Sequence, residues 1–250
     1  MRRAAAPTLI LASILASIAS RGGQGAPEGE VPATGKIRVS VTVLGADRRA
    51  LPAAQAVVWI PDAAAKAHPG GVPTPNTRLA APPAAAPRIA SKSKRFDPRI
   101  TTVPAGTTVE FPNLDGIFHN VFSLSPGAKF DLGLYRNGAS RAMTFDTPGL
   151  VRVYCNIHPQ MAAYLLVLDG TIWAQSGADG SALLAHVPAG RVGVRAWDEK
   201  GGDYQGTVDV AAGKTVPLAI VLDGSNFKDA PHTNKYGKKY PPPDDDANRY

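Results

Sequence analysis

The chain has 250 residues, of which 44% are hydrophobic and 19% charged, with a formal net charge of +7 and a single cysteine. This length suffices for one large β domain or two small ones, and a single cysteine allows no internal disulfide, so stability must come from core burial. The basic residues are scattered and form no stripe interleaved with aromatic residues, which argues against a nucleic-acid-binding surface.

The first elements are those of a secretory signal peptide. Residues 1–3 are basic, residues 4–18 are apolar without an acidic side chain, and the small residues up to Ala19 suit signal peptidase. The apolar stretch falls short of the ~18 residues that indicate a membrane span. We therefore predict a signal peptide over 1–19, a periplasmic protein, and no membrane span after processing.

The next segment has the pattern of β-strands. Ile37, Val39, Val41 and Val43 alternate with polar or small residues, and the apolar run 56–60 follows a turn. We predict that 36–62 supplies the first strands of a flanking β-sandwich. Residues 63–87 are rich in Ala, Pro and Gly without periodicity, which is typical of a linker.

Residues 88–168 contain many short strand patterns separated by Gly/Pro turns, which indicates a β-sandwich or barrel. The predicted strands are 100–103, 107–111, 121–123, 142–145, 150–155 and 163–168.

Residues 169–223 repeat the same kind of pattern and are predicted to complete the flanking sandwich. The predicted strands are 172–175, 182–186, 192–197, 207–210 and 216–222. The remaining residues, 224–250, are polar and are predicted to form a disordered or surface-wrapping tail. The fold class is thus all-β, with one β-sandwich or barrel beside a second small sandwich.

Three side chains with metal-binding atoms lie close together after the strand 150–155. Cys155, His158 and Met161 have the spacing Cys-x2-His-x2-Met, and His119 supplies a second imidazole upstream. Two histidines, a thiolate and a weak thioether match the ligands of a blue-copper electron-transfer site. An odd cysteine in an exported protein is unusual, and metal ligation is one use for it. We expect His119 to reach the metal across the sandwich.

Two other chemistries are open to these residues. Cys155 with His119 or His158 would suit a cysteine hydrolase, although nucleophilic cysteines are commonly activated at helix N-termini and this one ends a strand. A structural zinc site is a second alternative, but zinc prefers further cysteines or carboxylates to a thioether.

The other histidines and the internal Met143 are interpreted as surface or packing residues. His68 falls in the linker, His186 in an alternating strand and His232 in the tail. Alternation in the strand 142–145 makes Met143 a core residue.

The segment 88–168 resembles the cupredoxins of the amicyanin, pseudoazurin and plastocyanin group, including exported proteins of the methylamine-utilisation type. The resemblance rests on Gly106-Thr107-x-Val109-x-Phe111-x-Asn113-x-Asp115, His119-Asn120-Val121, and Pro148-Gly149 leading to Cys155-x2-His158-x2-Met161. The flanks resemble the carboxypeptidase-regulatory-like or transthyretin-like sandwich, through 52–58 and the turns 177–180 and 187–190.

The resemblance to the cupredoxins implies a Greek-key sandwich for 88–168 and specific roles for several of its residues. His119, Cys155 and His158 would be the strong ligands of one type 1 copper ion, with Met161 as the axial ligand. Asn120 would tie the ligand loops together and hydrogen-bond near the sulfur. His158 would have an edge near the surface and act as the electron port, with Pro159 in its apolar surroundings.

We therefore predict an exported copper protein that carries one electron between redox partners, such as a cytochrome or an oxidoreductase, and is not itself an enzyme. The alternatives are a copper storage or delivery protein, and an envelope interaction module in which copper is incidental.

Overall fold

The computed structural model describes residues 33–62, 86–228 and 232–240. These ranges contain β-strands and no helix, which confirms the all-β prediction. The predicted signal peptide, nearly all of the predicted linker with His68, and parts of the predicted tail lie outside them. Within the described residues, no helix is long and apolar enough to cross a membrane.

Seventeen strands are present in the described residues. In chain order they are β1 (Thr34–Leu44), β2 (Ala50–Pro52), β3 (Val57–Ile60), β4 (Ala90–Lys92), β5 (Arg95–Asp97), β6 (Ile100–Pro104), β7 (Thr107–Pro112), β8 (His119–Ser125), β9 (Ala128–Tyr135), β10 (Ser140–Phe145), β11 (Gly149–Tyr154), β12 (Ala162–Leu168), β13 (Ile172–Gln175), β14 (Ser181–Pro188), β15 (Gly190–Asp198), β16 (Gly202–Val210) and β17 (Thr215–Asp223).

Strands β1–β3 and β13–β17 form what we call the host sandwich. One sheet has the order β14-β1-β17, with β2 also on β1, and the other has the order β13-β3-β15-β16. The alternation in β1 places Ile37 and Val39 in the core, where they share one apolar cluster with Val58 and Ile60 of β3. The period of two in the sequence therefore becomes the buried face of one sheet.

Strands β4–β12 form the inserted sandwich. Its five-stranded sheet has the order β6-β12-β11-β8-β9, and β10 pairs with β7 in a second sheet. The core between them includes Phe111 of β7, Val121 of β8, Val153 of β11 and Leu165 of β12, each essentially without solvent exposure. This packing fixes the ends of β8 and β11, from which the candidate site is built.

The inserted sandwich begins and ends at neighbouring points of the host. Strands β3 and β13 are antiparallel partners, with Ile60 opposite Ile172, although β4–β12 lie between them in the chain. A third apolar cluster contains residues of both sandwiches: Val57, Trp59, Ile100, Leu166, Leu168 and Trp197. The segment that contains His119, Cys155, His158 and Met161 thus belongs to the inserted sandwich, which interrupts the chain of the host sandwich.

Strand β9 was not predicted. Its sequence alternates apolar and other residues, but Gly127 and Gly133 flank and interrupt it, and both have positive φ. Local glycines suggest turns, whereas pairing with β8 along most of its length holds this segment extended.

Candidate metal centre

The two predicted ligand segments meet because β8 and β11 are neighbours in one sheet. Strand β8 begins at His119, and β11 ends at Tyr154, directly before Cys155. Tyr154 pairs with Phe122 in the antiparallel ladder between them. The expectation that His119 reaches the site across the sandwich is therefore wrong: it comes from the adjacent strand.

His119, Cys155 and His158 form a single buried cluster. Their ligand atoms all lie within 4.8 Å of one another. The Nδ1 atoms of His119 and His158 lie 3.8 and 3.7 Å from the Cys155 sulfur. The two imidazole rings have their centroids 4.8 Å apart and are inclined by 57°. Two nitrogen donors and one sulfur thus face a common point.

Hydrogen bonds within the loop close it into a compact turn. The Cys155 N–H donates to the Met161 carbonyl at 3.2 Å, and the Met161 N–H donates to the His158 carbonyl at 3.0 Å. Met161 is fully buried and belongs to the same apolar cluster as Cys155. The spacing Cys-x2-His-x2-Met therefore corresponds to one turn with its three side chains buried.

The surroundings of the cluster shift the pKa values of its side chains, and the protonation state of each side chain decides whether it can bind a metal. Burial raises the pKa of the Cys155 thiol, and the backbone N–H groups of Asn120, Ile157 and His158, which hydrogen-bond the sulfur, oppose this by stabilising the thiolate. Burial, with a contribution from His119, lowers the pKa of His158 to about 4. His158 is therefore neutral at neutral pH, which is the form that ligates a metal.

Asn120 does not hold the two ligand loops together through its side chain. Its Nδ2 donates to Asp131 Oδ1 at 2.6 Å and to the Gly133 carbonyl at 2.9 Å, both on β9. The backbone N–H of Asn120, in contrast, does reach the Cys155 sulfur. The side chain thus ties the His119 strand to its neighbour in the sheet, and only the backbone acts on the sulfur.

His158 is more enclosed than the expected electron port. It is 5% exposed, and its Nε2 is buried without a hydrogen-bond partner among the described residues. Pro159, the next residue, is exposed. The rim of the site, and not the imidazole edge itself, therefore faces solvent here.

A carboxylate to which the sequence analysis gave no role, although it lies in the motif that carries the family resemblance, contacts the cluster. Asp115 Oδ2 lies 2.8 Å from His119 Nε2, on the side of the ring away from Cys155. Asp115 precedes His119 by four residues, and this separation within a loop was the only sequence signal for the contact.

The other two described histidines and Met143 lie outside this cluster. His186 is exposed in the host sandwich, and His232 is partly buried against the aromatic ring of Tyr154. Met143 is partly buried and packs against the core of the inserted sandwich. The structure thus places them as surface or packing residues, in line with the sequence analysis.

Residues 232–240, which we call the C-terminal segment, lie against the loop that carries Cys155. The Tyr240 hydroxyl donates to the Cys155 carbonyl at 2.7 Å, and the Lys235 N–H donates to Asn156 Oδ1 at 3.0 Å. His232 stacks on Tyr154 with ring centroids 3.9 Å apart. Polarity alone gave no reason to expect these contacts, because each depends on the position of a particular partner in the fold.

We expect Tyr240→Phe to lower the free energy of unfolding by about 1 kcal/mol, because the Cys155 carbonyl loses a partly buried hydrogen bond. Urea unfolding of the metal-free protein measures this change. Tyr236→Phe is the control, since Tyr236 lies in the same segment and is 72% exposed. Equal stabilities for the two variants would contradict a structural role for the Tyr240 contact.

No family model matches the chain, and the search of curated proteins found no relative. Among solved structures, an amicyanin mutant in the Cu(I) state is 20% identical, with 33% of this chain and 81% of that chain covered and a TM-score of 0.31. A purple cupredoxin from Nitrosopumilus maritimus is 24% identical, with 32% and 98% covered and a TM-score of 0.29.

Proposed function

We propose that the inserted sandwich is a cupredoxin-type domain that binds one copper ion and carries single electrons between redox partners in the periplasm. The observation that carries this proposal is the pair of imidazole Nδ1 atoms facing one buried thiol at 3.8 and 3.7 Å. Copper supplies a one-electron couple when it is bound in a site of two histidines and one cysteine.

The two sulfur–nitrogen distances in the cluster fit bonding to one ion. With a metal–sulfur bond of about 2.3 Å and a metal–nitrogen bond of about 2.0 to 2.1 Å, as in zinc sites, one ion reaches the Cys155 sulfur and either Nδ1 atom when the angle at the ion is about 120°. That is the angle of a trigonal plane, in which His119, Cys155 and His158 would be the ligands. Met161, which is buried in the same loop, would supply a fourth and weaker ligand.

The same cluster suits zinc less well. Structural zinc sites are tetrahedral, with four ligands drawn from cysteine, histidine and carboxylates. Among the described residues the cluster has three such ligands. The nearby carboxylate of Asp115 is on the far ring nitrogen of His119.

A hydrolase is also less well supported. Cys155 is fully buried, and burial raises the pKa of its thiol, whereas a nucleophilic cysteine needs access and a lowered pKa. Since all four proposed ligands come from the chain, no coordination position remains for a substrate. We therefore propose a carrier and not an enzyme.

The way in which the proposed ligands are held favours fast electron exchange over release of the metal. Cys155 directly follows the last residue of β11, and His119 is the first residue of the neighbouring strand β8. Backbone hydrogen bonds close the loop between Cys155 and Met161. A fixed ligand set needs little rearrangement between Cu(II) and Cu(I), and a delivery protein would need it to open.

Exposed apolar residues that neighbour the ligands in the sequence offer a docking surface for the redox partner. The loop before His119 exposes Leu114 by 50% and Phe118 by 41%, and Pro159 is exposed beside His158. Exposed apolar residues that form one contiguous patch with a polar rim are typical of interaction sites. We propose that the partner binds here.

The test is to titrate the metal-free protein with Cu(II) and record the visible spectrum. We expect one equivalent of copper to give an intense absorption band that disappears on reduction and returns on oxidation. Stoichiometric binding without this band would contradict a type 1 site. Rapid transfer of the bound copper to an apo-acceptor protein would favour the delivery function instead.

We expect substitutions of Met161 to change the reduction potential while copper stays bound. Met161→Leu removes a soft donor and should raise the potential, and Met161→Gln adds an oxygen donor that favours Cu(II) and should lower it. A tenfold change in the affinity ratio corresponds to about 59 mV for one electron, and we expect shifts of at least this size by voltammetry.

Met143→Leu is the matched control for this experiment. Met143 is partly buried in the same sandwich but lies on β10, opposite Val109 of β7, and not in the sheet that contains β8 and β11. Its replacement should leave the potential unchanged. If Met161→Leu and Met161→Gln also keep the wild-type potential, the axial ligand is not Met161.

A further inference from the structure

Asp115 collects three hydrogen bonds at the edge of the metal centre. Its carboxylate accepts the backbone N–H groups of Ser93 and Lys94 and lies 2.8 Å from His119 Nε2. The side chain is only 13% exposed. The two backbone N–H groups hold the carboxylate in the position from which it contacts His119.

The two backbone donors come from the tight turn between β4 and β5. Lys92 and Arg95 pair across this hairpin, and Ser93 and Lys94 between them both have φ of 54°. Positive φ at both central positions is typical of the type I′ turn. The turn therefore presents adjacent N–H groups to the Asp115 carboxylate.

The loop that carries Asp115 is held from the other side by a buried amide. Asn113 Oδ1 accepts the Asp115 N–H at 3.0 Å. The Asn113 Nδ2 donates to the carbonyls of Ile117 and Tyr135, at 2.8 and 3.1 Å. Asp115 is thus placed by two elements before any metal is bound.

These bonds determine which nitrogen of His119 carries the proton. Both oxygens of the Asp115 carboxylate already accept a backbone N–H group, one from Ser93 and one from Lys94, so the carboxylate acts here as a hydrogen-bond acceptor. An ionised carboxylate only accepts hydrogen bonds, so His119 must donate through Nε2–H. The lone pair of Nδ1 then faces the Cys155 sulfur.

We propose that Asp115 is a positioning residue of the metal centre, which fixes the tautomer and orientation of His119 and favours Cu(II) over Cu(I) through its negative charge. The inference rests on the proposed copper function. A carboxylate that accepts the N–H of a ligating imidazole makes that imidazole a stronger donor, and such partners typically change metal affinity by 10- to 100-fold.

The test is the reduction potential of Asp115→Asn, which keeps the shape of the side chain and removes its charge. We expect Cu(II) affinity to fall 10- to 100-fold relative to Cu(I), which raises the potential by about 59 to 118 mV for one electron. Asp115→Glu restores the charge and should return the potential toward the wild-type value.

The control is Asp179→Asn. Asp179 is exposed in the host sandwich and also accepts hydrogen bonds within a turn, from Ser181. This variant removes the same charge in the host sandwich, outside the ligand cluster, and should leave the potential unchanged. A merely structural role for Asp115 would change the unfolding midpoint but leave the potential of copper-loaded Asp115→Asn at the wild-type value, which would overturn the inference.

A measurement on the unmodified protein keeps the inference testable if the variants do not fold. Two-bond proton–nitrogen correlation of histidine-labelled, metal-free protein shows which ring nitrogen is protonated. We expect Nε2–H at His119, and an Nδ1–H tautomer would overturn the inference. Failure of the wild-type protein to form the coloured copper complex would instead overturn the proposed function, so the two failures are distinguishable.

Discussion

Cys155→Ser is expected to abolish the visible absorption of the copper-loaded protein completely. The band arises from charge transfer between the Cys155 sulfur and Cu(II), and a serine hydroxyl at this position supplies no thiolate. The cysteine is the only one in the chain, so no other thiolate can replace it. Absorption spectroscopy after addition of one equivalent of Cu(II) measures the loss.

The fold of this variant must be compared with wild type in the metal-free state. Cys155 lies in a well-packed core and is close in volume to serine, so we expect a cooperative unfolding transition to remain. A folded Cys155→Ser protein that keeps the intense band would show that the sulfur is not a ligand.

Loss of either clustered histidine is expected to have the next largest effect. His119→Ala and His158→Ala each remove one of the two nitrogen donors facing the sulfur. Each variant should lose the characteristic spectrum and electron paramagnetic resonance signal of the wild-type site. Added imidazole, which can enter the space left by the ring, should restore part of the colour.

His186→Ala is the control for both histidine variants. His186 is exposed on β14 of the host sandwich and has no place in the cluster. Its spectrum should equal that of the wild-type protein. A loss of colour equal to that of His119→Ala would mean that the ligand set is misassigned.

Much of the fold follows from local sequence, because the period of two is a local property. The strand from Ile37 to Val43 and the apolar run before Pro61 were predicted by alternation and by β-branched residues, and both are present. Strand β9 was missed, since it depends on pairing with β8 and not on its own glycine-containing sequence.

The candidate site also has some features that follow from local sequence and others that depend on distant segments. Cys155, His158 and Met161 are close in sequence, so their spacing was enough to predict that they share one loop. The expectation that His119 reaches the metal across the sandwich was wrong, because which strands share a sheet is a non-local property. The contacts of Asp115 and Tyr240 also depend on other segments, namely the hairpin turn at Ser93 and the loop at Cys155.

The nested topology has a consequence for how the chain folds as it is made. Strand β1 is the parallel partner of β17, with Lys36 opposite Thr215, so the host sheet closes only after almost the whole described chain has been synthesised. Contacts this distant in sequence slow folding, because a long loop must close before they form. The inserted sandwich is complete in the chain by β12, and we expect it to fold first while most of β1, which pairs with β2 only at its end, remains an unpaired edge. Such an edge is prone to aggregation, so the yield of folded protein should depend more on chaperones that protect β1 than on the supply of copper.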